Sequence, residues 1–294
     1  MNNLMIKRVM MLPIGAGLIF TMMMNGWELL TATEEIHLAY LNNYNRTMVK
    51  DFPAYFTILL YLTAILQLVA AVFLIISLSK REFLENRNAS FFKWGLFFSI
   101  LSVTLYGLMV RLLSNHTAAA NLYFYVGLLY FCLWYVEHRE SKVNSEVFIK
   151  IKILPIYFML FYTMGFPGWQ KIMNSVEVMG RYTDLFHDSF LSNLPGGIEP
   201  FIYLLGVLEL SVAIMLILSL IKREFLLSKS TQFLDLSLLV SVATFIMLSF
   251  GLGFIFNYPG ATNLVFYAIF TLGLYAYISE TRKQITPLCD DINS

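Results

Sequence analysis

Four residues in this sequence could do chemistry inside an otherwise apolar chain: Glu209, Gln67, Lys171 and Arg111. Glu209 stands about ten residues into an apolar run over 199–221, near the middle of a membrane-spanning helix at a rise of about 1.5 Å per residue. An ionisable group at that depth costs at least about 2.5–3.5 kcal/mol unless it is paired or protonated. Two readings follow, a functional group that handles protons or binds a polar ligand, and an interhelical hydrogen bond. Gln67 holds the equivalent position in an earlier run. Ala64 and Gly206 lie three residues before the two, and Ala71 and Ala213 four residues after. That spacing puts small and polar side chains on one helix face, which should look into the bundle. Lys171 follows Gly168 and Trp169 at the end of another run, as a site residue or as an interfacial snorkel. Arg111, near the end of a run over 91–113, could balance Glu28 or a loop carboxylate, or anchor the helix at the interface.

Other chemistries lack their residues. The four histidines, His37, His116, His138 and His187, all fall outside membrane depth, so haem ligation in the bilayer is not expected. Their spacing supports no metal site. Cys132 and Cys289 form no C-x-x-C pair. No glycine loop for phosphate and no catalytic triad is present, so no cofactor is detectable by motif. A formal net charge of +1 provides no field for nucleic acid.

The elements that must position these residues follow from composition. Of 294 residues, 58% are hydrophobic and 13% charged, against about a quarter charged in soluble domains. The bilayer must therefore be the main solvent and partner. Runs long enough to span it fall at about 9–30, 54–79, 91–113, 119–137, 151–172, 199–221, 232–256 and 261–279. Two long polar segments, 31–53 and 173–198, separate them, and linkers of that length are often functional. Fifteen of the 20 Lys and Arg fall on one side of this topology; Arg46, Lys50, Arg111, Lys171 and Arg181 fall on the other. The positive-inside rule then puts both termini in the cytoplasm and both long segments outside, in a plasma or inner membrane. Trp27 and Trp169 fit an interfacial belt at the outer ends of their helices. Lys7 and Arg8 before the first run resemble a signal peptide, but no small-x-small cleavage site follows, so a retained helix is expected.

The chain repeats itself. Residues 74–84 read LIISLSKREFL and residues 216–226 read LILSLIKREFL, nine of eleven identical at an offset of 142. The same offset, without a gap, aligns Leu12-Pro13 with Leu154-Pro155, Gly26-Trp27 with Gly168-Trp169, and Asn121-Leu122 with Asn263-Leu264. The expected fold is all-α: a polytopic membrane protein of about eight transmembrane helices, as two parallel four-helix repeats over 1–145 and 146–294. The Lys-Arg-Glu-Phe turn of each copy reads as a basic anchor with a local ion pair.

In the second copy, Gly168 to Lys171, an outer loop, Glu209 and the basic Lys222-Arg223 turn follow one another. This pattern resembles the DoxX-like four-helix membrane family, which takes in DoxD- and MauE-type proteins. The resemblance covers residues 151–283, and residues 9–141 through the repeat, where Leu29 and Gln67 depart from it. It implies an accessory or quinone-contacting subunit of a membrane redox system, with quinone as cofactor and redox enzyme subunits or a periplasmic protein as partners. Two other functions stay open: a small-solute transporter, and a scaffold that docks partners through its outer loops.

Overall fold

The computed structural model describes residues 11–31, 53–84, 88–113, 115–138, 145–173, 175–226 and 229–293. All regular structure among them is helical: α1 (Met11–Thr31), α2 (Pro53–Ser79), α3 (Ser90–Leu112), α4 (His116–Glu137), α5 (Glu146–Ile151), α6 (Leu154–Leu160), a π-helical turn (Phe161–Gly165), α7 (Phe166–Met173), α8 (Ser175–Phe186), a 3-10 turn (Phe190–Asn193), α9 (Glu199–Ile221), α10 (Gln232–Phe254) and α11 (Tyr258–Asn293). The chain divides into two compact units, 1–155 and 156–294. In the first, α2 packs on α1 and α3, and α3 on α4. In the second, α9 packs on α7 and α10, and α10 on α11.

Seven helices among the described residues are long and apolar enough to cross a membrane: Phe56–Ser79, Ser90–Leu112, Thr117–Glu137, Val147–Met173, Glu199–Ile221, Gln232–Phe254 and Tyr258–Lys283. The shortest has 21 residues, about 32 Å at helical rise, against a hydrocarbon core of about 30 Å. The remaining run, α1, also has 21 residues but carries Asn25, Trp27 and Glu28 in its last turns, and it is not among the seven.

Polarity is arranged for lipid. Ser99, Ser102 and Thr104 on α3, and Ser237, Ser241 and Thr244 on α10, are wholly buried. Phe20, Ile58, Leu239 and Phe250 are more than 60% exposed. A soluble protein does the reverse. Each of the six hydroxyls donates to a carbonyl of its own helix, Ser99 to Gly95 and Thr244 to Val240 among them, so none needs water. The chain is a multi-pass membrane protein, and its small hydroxyl residues let helices approach closely.

The two Lys-Arg-Glu-Phe turns are built alike, bond for bond. The amide of Glu82 donates to the Ser77 carbonyl and that of Arg81 to Leu78; Glu224 and Arg223 do the same to Ser219 and Leu220. These are Schellman closures, with Arg81 at φ 53° and Arg223 at φ 57° in the left-handed region. The glutamate then turns inward. Glu82 accepts from the Ser77 hydroxyl at 2.8 Å and from the amides of Phe91 and Phe92 at 3.2 and 3.0 Å. Glu224 accepts from the Ser219 hydroxyl at 2.8 Å and from Phe233 and Leu234 at 3.3 and 2.9 Å. Each carboxylate thus satisfies the first amides of the next helix and meets the positive end of its dipole. This differs from the expected local ion pair, because two unmet amides in a buried turn attract a carboxylate more strongly than a solvated cation does. Lys80 and Lys222 lie over the rings of Phe91 and Phe233, at 4.0 and 4.2 Å.

Glu224→Ala orphans one hydroxyl and two amides, so it is expected to cost about 1–3 kcal/mol for the buried groups left without an acceptor. Denaturation of the detergent-purified chain in an SDS titration measures this, and Glu82→Ala should give a matching loss.

Candidate functional site

The spanning segment Val147–Met173 is not one regular helix. It turns at Lys152–Ile153, restarts at α6 with Pro155 in its first turn, and widens into the π turn before α7. Pro167 explains the widening. It has no amide to donate to Thr163, and its ring crowds the carbonyl four residues back. A π turn relieves that crowding. The matching position in α1 is Asn25, and α1 stays regular. Regular geometry lets Thr21 donate to the Gly17 carbonyl at 3.0 Å. Thr163, its counterpart in the π turn, has a buried Oγ1 with no hydrogen-bond partner.

Beyond the π turn, α7 and α9 touch backbone to backbone. A Cβ on Gly168 would lie 2.7 Å from the Leu210 amide nitrogen, 2.9 Å from Glu209 Cβ and 3.0 Å from the Gly206 carbonyl oxygen. A Cβ on Gly206 would lie 3.0 Å from Lys171 Cβ. Only glycine allows this approach. Three residues after each glycine comes a charge, so the close crossing brings the two charges together. Lys171 Nζ donates to Glu209 Oε1 at 2.7 Å and to Oε2 at 2.6 Å. The two side chains are 4% and 2% exposed. Taking two ions out of water costs several kcal/mol each, and only close geometry such as this offsets it.

The ring of Tyr182 on α8 lies 5.9 Å from Lys171 Nζ, at the limit of a cation–π contact. Met179 and Phe186 of α8, Leu191, Ile198 and Ile202 of α9 form one apolar cluster beside it. The polar segment 173–198 therefore contains an amphipathic helix, where the sequence reading expects a loop. Its counterpart, 31–53, lies outside the described residues apart from its ends.

The other sequence candidates do not join the pair. Gln67 belongs to the first unit, is 2% exposed, and leaves Oε1 without a hydrogen-bond partner. It packs beside Gly26, whose Cβ would meet Gln67 Cβ at 3.1 Å, the same relation that Gly168 has with Glu209. Leu29, where the second unit has Lys171, sits in an apolar cluster with Phe56, Leu60, Ala64 and Met109. Arg111 lies half-buried in the last turn of α3, and Glu28 is exposed on α1. Trp27 and Trp169 are exposed at matching positions, 63% and 45%. Among the described residues no group of three or more His, Cys, Asp or Glu could hold a metal ion.

Sequence reasoning missed Tyr182 and the π turn. Val178, Tyr182 and Phe186 at helical spacing mark α8, and Pro167 against Asn25 marks the π turn. A second buried ion pair, Lys152 to Glu137 at 2.8 Å, belongs to the first unit. Comparison of the chain with protein-family models, curated proteins and solved structures finds no match.

Proposed function

We propose that this protein is an accessory subunit of a membrane redox system, and that the Lys171–Glu209 pair is where its second unit contacts a quinone. The observation that carries this reading is the pair itself, a closed ion pair of opposite charges with both partners buried. The ammonium can donate to a quinone carbonyl, and the carboxylate can accept the proton of a quinol hydroxyl. Tyr182 offers an aromatic face beside them. Entry of a ring requires α8 to shift, and α8 is a short helix held by side-chain packing. In the same reading, the chain is two four-helix repeats inserted in one direction. The bond-for-bond match at 142 residues supports the repeat, and the cation bias supports cytoplasmic termini in a plasma membrane. That count makes α1 the eighth span.

Binding of a short-chain quinone to the detergent-purified chain, followed by calorimetry, tests the proposal. Glu209→Gln and Lys171→Met are each expected to weaken binding by about 10- to 100-fold, the loss of one hydrogen bond to a charged group. Absence of binding, or binding indifferent to both substitutions, rejects it.

A further inference from the structure

The leading segment of the second copy, residues 145–155, belongs to the first unit by its contacts. Ser145 caps α5 by accepting from the Phe148 amide. The Phe148 ring stands edge-on to Trp94 at 5.2 Å and to Phe97 at 6.0 Å, both on α3. Lys152 Nζ donates to the two carboxylate oxygens of Glu137 on α4, at 2.8 and 3.0 Å. Tyr130 on α4 donates its hydroxyl to the Lys152 carbonyl at 2.7 Å. With these contacts made, Phe97, Tyr130, Phe148 and Lys152 are no more than 5% exposed.

The corresponding face of the second unit lies open. At the offset of 142, Trp94, Phe97 and Tyr130 become Leu236, Leu239 and Leu272, which are 46%, 64% and 57% exposed. The segment of matching register is residues 3–13, NLMIKRVMMLP, the counterpart of 145–155, SEVFIKIKILP. Asn3 stands at the cap position, Ile6 at that of Phe148 and Met10 at that of Lys152. Residues 3–10 lie outside the described residues. The ion pair is exchanged as a pair, since Lys152 and Glu137 become Met10 and Ser279. A charged segment faces a charged helix in the first unit, and a neutral segment corresponds to a neutral helix in the second.

We propose that residues 3–10 dock on the α10–α11 face of a second copy of this chain, with Ile6 against Leu236 and Leu239, and Met10 beside Leu272 and Ser279. A second copy is needed because Leu239 and Leu272 stay exposed within the single chain. Two copies that exchange segments reciprocally fill both faces, so the interface closes as a dimer. The inference rests on the repeat register of the functional reading and not on its quinone contact.

Thiol cross-linking in membranes tests the interface. In a background with Cys132 and Cys289 replaced by alanine, Ile6→Cys on one epitope-tagged copy is co-expressed with Leu239→Cys on a differently tagged copy and treated with a short bis-maleimide. A product carrying both epitopes, at twice the 33.9 kDa of the chain, is expected. Ile214→Cys is the control. Ile214 is 51% exposed and lies seven residues from the turn on α9, as Leu239 does on α10; it should give no product with Ile6→Cys. Equal product at both positions, product at neither, or closure only within a chain carrying both cysteines overturns the proposal. Native mass spectrometry of the unaltered chain, released from detergent, is a second measurement. A dimer is expected, and a monomer from Ile6→Asp. A monomeric unaltered chain, or a dimer indifferent to Ile6→Asp, overturns the proposal. Both measurements run without quinone, so this inference and the quinone reading fail separately.

Discussion

Lys171→Met is expected to destabilise the protein by about 3–5 kcal/mol, the loss found when one partner of a buried ion pair is removed. The methionine fills most of the lysine's volume, so little of the loss comes from packing. It comes from Glu209, which stays 2% exposed with its cation gone. The double substitution Lys171→Met, Glu209→Leu separates charge from shape. It should return stability to the wild-type level or raise it by about 1–4 kcal/mol, as apolar replacement of buried pairs often does. SDS titration of the detergent-purified chain measures both variants. A single variant within about 1 kcal/mol of the wild type would show that the two ions are not compensating each other's burial. The first unit already carries the apolar solution, with Leu29 at the lysine position in a cluster of five buried side chains. Full stability in the double variant, together with lost quinone binding, would assign the pair to function.

Gly168→Ala is the second large effect, and it acts through the backbone. Its methyl would sit 2.7 Å from the Leu210 nitrogen and 3.0 Å from the Gly206 carbonyl oxygen. Main-chain atoms inside a helix cannot rotate away, so α7 and α9 must part. Overpacking of this kind costs about 1–3 kcal/mol, and a leucine would cost more. The parting also lengthens the Lys171–Glu209 contact, so the proposed quinone binding should weaken without any change at either charge. Gly273→Ala is the control. Nothing lies within 4 Å of its added methyl, and removing a mid-helix glycine should stabilise by up to about 1 kcal/mol. Gly26→Ala should be milder than Gly168→Ala, because its nearest contacts, Leu68 Cγ at 3.0 Å and the Ala64 carbonyl oxygen at 3.1 Å, are longer than the 2.7 Å at Gly168.

The spans were legible because lipid contact demands apolar residues in unbroken runs, and the seven helices fall where those runs do. Glu209 and Lys171 were legible as candidates, since a charge inside a run needs explanation. Their pairing was not, because they are 38 residues apart and no local pattern links them. A partial signal existed: Gly168 precedes Lys171 by three residues, as Gly206 precedes Glu209. The helix α8 was hidden by composition. Only one of its faces is apolar, and its polar residues made the whole segment read as a loop. The inward turn of Glu82 and Glu224 was hidden for another reason. Sequence shows a carboxylate beside two cations, but it does not show that the helix amides nine and ten residues on donate to it.

Those capped turns bear on how the chain enters a membrane. A helix leaving the translocon carries unmet amides at its start, and hydrocarbon penalises them severely. In α2–α3 and in α9–α10, the acceptor for those amides is supplied within the same hairpin, from residues synthesised just before. Each hairpin can therefore close its tip by local contacts, which form fastest. The glutamate serves as the latch of each hairpin.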